Sequence, residues 1–199
     1  SFSHSQPELW GVPVLGLVPV IGGTPEPAEA LSDNMRQRDL GVFLDPKSVA
    51  AECCRSIRTN ILFMSPDRPI RTMVVTSPSP QEGKTTTAIN LGVTMAEAGG
   101  RVLLIDTDMR RPRLHRSFGV GNQTGISTVI VGKATLEEAI KHTDVPNLDV
   151  LPCGPVPPNP SELLHTDRFA VVLADCAKLY DRVILDSPPT SAVTDPAVL

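Results

Sequence analysis

Residues 77–86 read SPSPQEGKTT and separate two segments of different texture. Before them, residues 72–76 (TMVVT) form a short apolar run of the kind a buried strand needs. After them, residues 84–98 carry a helical pattern that Gly99 and Gly100 stop. Strand, turn and helix in this order constrain the fold more than any other feature of the chain. The backbone N–H groups of such a turn converge at the positive end of the helix dipole, which favours a phosphate. A lysine at position 84 reaches the β and γ phosphates, and the hydroxyl of Thr85 can ligate Mg2+. The general pattern has glycine where Pro78 stands. Gly83-Lys84-Thr85 by itself equally fits a glycine turn with a surface lysine; its place between strand and helix selects the phosphate reading.

The rest of the chain supplies the sheet that such a loop requires. Residues 102–105 are a second apolar run ending in Asp106, residues 148–151 a third, and residues 182–185 a fourth ending in Asp186. Helical periods are read at 46–64, 126–131, 136–142 and 166–180, with a Pro-rich loop at 152–160. Strands alternating with helices imply βαβ units, so the fold expected is α/β: a mostly parallel sheet flanked by helices. Residues 1–45, rich in Pro, Gly and small polar residues around an apolar patch at 12–21, read as an arm or linker holding at most a short strand. Residues 46–199 read as the folded domain.

Two strand ends each deliver a carboxylate, in VLLIDTD (102–108) and in VILDSPP (183–189). The carboxyl edge of an open parallel sheet is where ligands bind. Mg2+ beside phosphates needs one or two carboxylates held on rigid elements. An aspartate that only caps the next helix explains either site alone, and explains both beside a phosphate loop poorly. Arg110, Arg111, Arg113 and Arg116 with His115 form a local basic cluster. Arg110 lies two residues from Asp108 and suits pairing with carboxylate or phosphate; the others suit either a solvated surface or an acidic peptide.

Charge and composition remove several classes. The chain of 199 residues has a formal net charge of −4, which is not the field of a general nucleic-acid binder. No run is long enough to span a membrane, and the opening residues lack the apolar core of a signal peptide. The chain begins at Ser1, as a fragment or processed product would. Cys53, Cys54, Cys153 and Cys176 show no metal-ligand spacing and read as reduced thiols.

Together these residues resemble the bacterial tyrosine kinases (BY-kinases), the cytoplasmic domains of polysaccharide co-polymerases that govern capsule and exopolysaccharide chain length. The family's phosphate loop reads S-P-x-P-G-E-G-K-S/T-T, its second motif is an apolar strand followed by D-x-D-x-R, and its third an apolar strand followed by D-S-P-P. Asp106-Thr-Asp108-Met-Arg110 and Asp186-Ser-Pro-Pro189 match the last two, and residues 158–164 (PNPSELL) look like a further family segment. Glu52, Arg55 and Arg58 match E-x-x-R-x-x-R, with which the family closes a ring of subunits.

The resemblance implies a P-loop NTPase fold of the partitioning-ATPase type, binding ATP and Mg2+. It implies transfer of the γ-phosphoryl group to a tyrosine on the same or a neighbouring chain. Pro80, Gln81, Glu82, Gly83, Lys84, Thr85, Thr86 and Arg110 would hold the nucleotide. Asp106 would act as base, and Thr85, Asp108 and Asp186 would serve Mg2+. Lys84 would offset developing phosphate charge. The implied partners are further copies of the chain in a ring, a membrane-embedded activator region of the same or a partner chain, and a tyrosine phosphatase, with no nucleic acid. The implied location is the cytoplasmic face of the bacterial inner membrane, with residues 1–45 as the juxtamembrane linker.

Three departures stand out. Gln81 replaces a usual glycine of the loop. The family's tyrosine-rich tail has no counterpart: the single tyrosine, Tyr180, fits a structural role at a helix–strand junction. The chain stops shortly after Asp195, so the last strands, which shape the base pocket in the family, are expected to be missing. Two other readings share the fold. A partitioning-type ATPase switch carries a second loop lysine, where this chain has Ser79. A nucleotide-binding ring scaffold carries out no transfer.

Overall fold

The computed structural model describes residues 13–19 and 31–190. Its centre is a five-stranded sheet in the order β1-β5-β2-β4-β3, formed by β1 (Thr72–Val75), β2 (Val102–Asp106), β3 (Lys141–His142), β4 (Leu148–Leu151) and β5 (Arg182–Asp186). Four strands are parallel; only the two-residue β3 runs antiparallel, on β4. The expected mostly parallel α/β sheet is what forms.

The central strands are continuous apolar runs because both of their faces are covered. Successive side chains of a strand point to opposite faces. Val102 and Leu104 of β2 therefore join Leu148, Val150 and Ile184 in one core. Leu103 and Ile105 join Leu151, Val183 and Leu185 in the other. The first core is closed by α4 (Lys84–Glu97), which brings Ala88, Ile89, Leu91 and Val93, and by α3 (Val49–Met64) behind it. The second is closed by α6 (Ile126–Ile130) and α9 (Asp167–Leu179), through Ile126, Val129, Val172 and Cys176.

Local sequence sets the helix boundaries. Ser48 caps α3 by accepting from the Ala51 N–H, so the helix begins there rather than at the expected residue 46. Thr166 caps α9 through the Phe169 N–H. Gly83, at φ 85°, turns the chain from the loop into α4.

Several sequence expectations are corrected. The segment read as an arm with at most a short strand contains two helices, α1 (Leu31–Asp39) and α2 (Gly41–Leu44), and residues 13–19 hold no strand. Leu40 and Val42 lie in the first core, 2% and 0% exposed. Apolar periodicity could not announce α1, because LSDNMRQRD is almost wholly polar and its anchor is a buried Asp39. The helix expected at 136–142 is shorter, α7 (Leu136–Ala139), because the next residues pair with β4. The basic cluster contains a helix, α5 (Leu114–Phe118), and the end of the Pro-rich loop starts another, α8 (Pro160–Leu164). β1 is a sheet edge among the described residues, with Val74 58% exposed, rather than a buried strand.

The packing of α1 and α2 has a measurable consequence. Leu40→Ala is expected to destabilise the fold by about 2–5 kcal/mol in urea titration, the usual effect of emptying a core position. A loss below about 0.5 kcal/mol, ordinary for a surface change, would return this segment to the status of an arm.

Candidate active site

β1 and β5 end side by side with β2, and their carboxyl ends carry the loop and both aspartates. Parallel register sets Asp106 directly opposite Asp186, on strands that pack roughly 4.8 Å apart. Both side chains are excluded from solvent, at 0% and 1% exposure. The loop from β1 to α4 passes above them. Ser77 donates to the Ser79 carbonyl at 2.7 Å, and the Glu82 carboxylate accepts from the Ser79 N–H at 3.2 Å. Gln81 stands at φ 66° and Gly83 at φ 85°. A left-handed backbone suits glycine and costs other residues roughly 1–2 kcal/mol. Gln81 thus takes the conformation that a glycine would take freely, at the expense of local strain.

Lys84 opens α4 and turns inward. Its Nζ donates to Asp108 Oδ2 at 2.8 Å and stands 3.6 Å from Asp186 Oδ1. The neighbouring Thr85 hydroxyl donates to Asp186 Oδ2 at 2.7 Å. Asp108 also accepts from the Arg111 N–H through Oδ1, at 3.1 Å. Asp106 Oδ2 accepts from the N–H groups of Arg113 and Leu114, at 2.8 and 3.0 Å. Its other oxygen, Oδ1, is buried and without a hydrogen-bond partner, as is Oδ1 of Asp186.

This environment raises carboxyl pKa values. Burial pushes Asp106 up to about 7, helped by the Asp186 charge and opposed by the two N–H groups. Burial also raises Asp186, against the pull of Lys84 and the Thr85 hydroxyl. Outside the carboxylates, a cleft of about 760 Å3 is lined by Pro80, Gln81, Gly83, Lys84, Thr85, Asp108 and a basic wall that includes Arg110. Glu82 and Thr86 do not line it; Thr86 turns away, its hydroxyl donating to Asp39 Oδ1 at 2.7 Å.

The structure therefore brings together Lys84, Thr85, Asp106, Asp108 and Asp186, with Arg110 on the rim. Among the described residues no group of three or more His, Cys, Asp or Glu side chains is arranged to hold a metal by itself. The donor set fits Mg2+, a hard cation that takes one or two carboxylates and completes its shell with water and phosphate. Thr85, Asp108 and Asp186 supply oxygen ligands of that kind; Oδ1 of Asp186 makes no hydrogen bond and faces the Lys84 ammonium at 3.6 Å, so a cation there would take the place that Lys84 holds.

Two residues beside the site carry no signal in the sequence. Asp39 lies in the supposed arm, and Arg113 in a basic run that reads as solvated surface or as a holder of acidic peptide, not as a partner of Asp39. They pair at 2.6 Å in the structure. No periodic or motif signal marks Asp39; only a carboxylate in the last turn of a polar helix raises the question.

The remaining singled-out residues lie elsewhere. Glu52 and Arg55 pair within α3 at 2.8 Å, and the arginine holds Glu52 below the usual carboxylate range. Arg55 also donates to the Pro46 carbonyl, and Arg58 donates to the Thr94 carbonyl of α4 at 2.5 Å. Residues 158–164 form α8 and its cap, whose Leu163 and Leu164 lean on the second core. Tyr180 follows α9 at the opposite sheet edge and donates to Asp149 Oδ2 at 2.7 Å; burial raises its pKa. The four cysteines are free thiols, three of them buried.

A phosphate loop on the carboxyl edge of a parallel sheet, with a lysine and two strand-end aspartates beneath it, defines a P-loop nucleotide-binding protein. Residues 81–199 match the family model described as an AAA domain. The tyrosine-protein kinase YwqD of Bacillus subtilis strain 168 is 43% identical over 163 residues, 82% of this chain and 69% of that one. The solved kinase domain of Escherichia coli tyrosine kinase ETK matches with TM-score 0.79 and 35% identity, over 94% of this chain and 74% of that one. The septum site-determining protein MinD of Pyrococcus horikoshii, complexed with Mg-ADP, matches with TM-score 0.52 and 30% identity, over 60% of this chain and 49% of that one. The chain belongs to the bacterial tyrosine kinases.

The raised Asp106 makes a stability prediction for the chain free of nucleotide and magnesium. An unfolded aspartate titrates near pH 4, the folded Asp106 at about 7. Between these values the folded state keeps a proton that the unfolded state has released, so this residue's contribution falls as pH rises through the window. Asp106→Asn cannot ionise. It is expected to match the wild type near pH 3.5, below the unfolded value, and to exceed it at pH 8 by up to about 4 kcal/mol in urea titration. A variant less stable than the wild type at pH 8 would contradict the assigned burial cost.

Proposed function

We propose that this chain is the catalytic part of an ATP-dependent protein-tyrosine kinase that acts in capsule or exopolysaccharide synthesis and export. The observation that carries this reading is Asp106: a buried carboxyl with one oxygen fixed by two N–H groups and the other without a hydrogen bond, opposite Asp186, which Lys84 faces. Burial raises the proton affinity of Asp106 above that of a solvated aspartate, which favours a role as proton acceptor.

In the reaction, the phenol oxygen of the acceptor tyrosine forms a bond to the γ-phosphorus of ATP. The bond from that phosphorus to the β–γ bridging oxygen breaks, and ADP leaves with the electron pair. The phenol proton passes to Asp106. Lys84 offsets charge on the transferring phosphoryl group, and the loop N–H groups between Pro80 and Thr86 hold the phosphates in line. Glu82 stiffens that loop and Arg110 supplies a cation at the cleft's rim. Thr85, Asp108 and Asp186 would hold Mg2+, which would add further charge neutralisation. The acceptor comes from outside the described residues, since Tyr180 is engaged at the far edge of the sheet. The resemblance further supports a place at the cytoplasmic face of the inner membrane, with residues 1–45 including the link to a membrane-embedded activator, and regulation by a tyrosine phosphatase.

Incubation of the chain with radioactive ATP, Mg2+ and a tyrosine peptide tests the reaction. Phosphotyrosine is expected in the wild type. Lys84→Met is expected to weaken Mg-ATP binding more than about tenfold, roughly 1.4 kcal/mol or more, in calorimetry. Asp106→Asn is expected to bind Mg-ATP normally and to lose transfer. Free phosphate without phosphotyrosine would identify a partitioning-type switch instead, and nucleotide binding with neither product a scaffold.

Glu52, Arg55 and Arg58 are proposed to exchange their partners within the chain for a neighbouring subunit, closing a ring. Arg55 and Glu52 pair here on an exposed helix face, an arrangement worth little on its own. The planar fork of arginine suits re-pairing with a neighbour's carboxylate, and a head-to-tail contact closes into a ring where the rotation allows. Changing all three to Ala is expected to leave folding and nucleotide affinity intact and to abolish higher oligomers in mass photometry. Rings that persist in the triple variant would defeat this assignment.

A further inference from the structure

We propose that Asp39 is a positioning residue for phosphoryl transfer, the point at which the N-terminal helices hold the phosphate loop and the support of Asp106 in one frame. The proposal rests on the kinase reading above.

Asp39 is the last residue of α1 and is 0% exposed. Oδ1 accepts from the Thr86 hydroxyl at 2.7 Å and from Arg113 Nη2 at 2.6 Å. Oδ2 accepts from the Ser117 hydroxyl at 2.7 Å and from the same Arg113 nitrogen at 2.8 Å. One carboxylate thus joins the first turn of the phosphate-loop helix to both ends of α5. A second connection runs parallel to it: the Val42 N–H donates to Asn90 Oδ1 at 3.2 Å, and Asn90 Nδ2 donates to the Thr86 carbonyl at 2.9 Å.

Two partners of Asp39, Thr86 and Arg113, adjoin the site directly. Thr86 follows Thr85, whose hydroxyl is tied to Asp186, so adjacent hydroxyls are anchored to carboxylates on different elements. Arg113 holds Asp39 with its side chain and Asp106 with its backbone N–H. α5 is therefore clamped between Asp39 and Asp106. Arg113 also lines the cleft, and its Nε is buried without a partner.

Energetics favour a positioning role over a purely cohesive one. A buried ion pair is a poor way to hold two helices together, since apolar side chains of similar volume often do so as well or better. What the pair adds is direction: four short contacts to one carboxylate fix α5 and α4 relative to each other. Phosphoryl transfer depends on such placement, and a misplacement of 1 Å at the site can cost about a hundredfold in rate.

The test uses the full chain with Mg-ATP and a tyrosine peptide, measuring kcat, KM for Mg-ATP and near-ultraviolet circular dichroism. Asp39→Asn keeps the size and the acceptor for Thr86 but removes the ion pair with Arg113. It is expected to lower kcat about tenfold or more with KM for Mg-ATP within about threefold and the dichroism of the wild type. Asp39→Ala is expected to lose more, so the conservative variant recovers part of the rate. Arg113→Gln is expected to match Asp39→Asn, and the double variant to be no slower than the slower single one, because both remove the same contact. Wild-type kcat in Asp39→Asn, a loss that only follows the folded fraction, a rise in KM at constant kcat, or losses that multiply in the double variant would each overturn the proposal. If Asp39→Ala fails to fold, Asp39→Asn decides. A wild type that forms no phosphotyrosine refutes the kinase reading, and the same comparison made on ADP release then tests the frame by itself.

Discussion

Placing Asp106 and Asp186 opposite each other at the ends of adjacent parallel strands is the constraint from which the rest of the site follows. Two carboxylates at strand spacing, both closed off from water, cannot both be ionised cheaply. The fold meets this in two ways. It surrounds them with donors: the Arg113 and Leu114 N–H groups for Asp106, the Thr85 hydroxyl for Asp186. It also places the Lys84 ammonium between Asp108 and Asp186. That cation cannot simply swing to a phosphate. Removing one partner of a buried charge pair costs about 3–5 kcal/mol, so Lys84 turns outward only where another cation takes over the carboxylates. On the proposed function, nucleotide entry would be linked to cation entry on these grounds.

Loop shape is the second constraint. The turn from β1 to α4 needs two left-handed residues, and only one of them is glycine. Gln81 holds the other at φ 66° because both ends of the turn are fixed. Thr76 and Ser187 are bonded across to Pro188 and Val75, at 3.0 and 3.1 Å, and Gly83 starts the helix. Strain of roughly 1–2 kcal/mol is tolerable in a loop over-determined by its flanks. Gln81 thus occupies a left-handed turn position and puts its side chain at the cleft.

The sheet is legible in the sequence because its signals are local. Residues 102–106 and 182–186 are apolar runs that end in aspartate, and β2 and β5 begin and end with them. Gly83-Lys84-Thr85 between strand and helix is enough to set Lys84 and Thr85 against the carboxylates. What stays hidden is non-local. Asp39 is one polar residue in a polar helix, and it becomes structural only because Thr86, Arg113 and Ser117, 47 to 78 positions away, converge on it. β3 reads as helix because Thr135 and Glu138 begin a helical turn there, and pairing with β4 overrides that period within a few residues.

The position of Tyr180 decides how the chemistry must be arranged in space. It precedes β5, whereas Asp186 ends it, so a five-residue strand at about 3.3 Å per residue separates the phenol from the site by roughly 15 Å. Its hydroxyl is committed to Asp149, which also pairs with His142 at 2.7 Å, and its ring leans on the second core. Bringing this tyrosine to Asp106 would require unfolding the junction of α9 and β5, the strand that carries Asp186 itself. The site would be destroyed by the motion that delivered the substrate. A fixed site and an acceptor tyrosine other than Tyr180 are the arrangement compatible with this sheet.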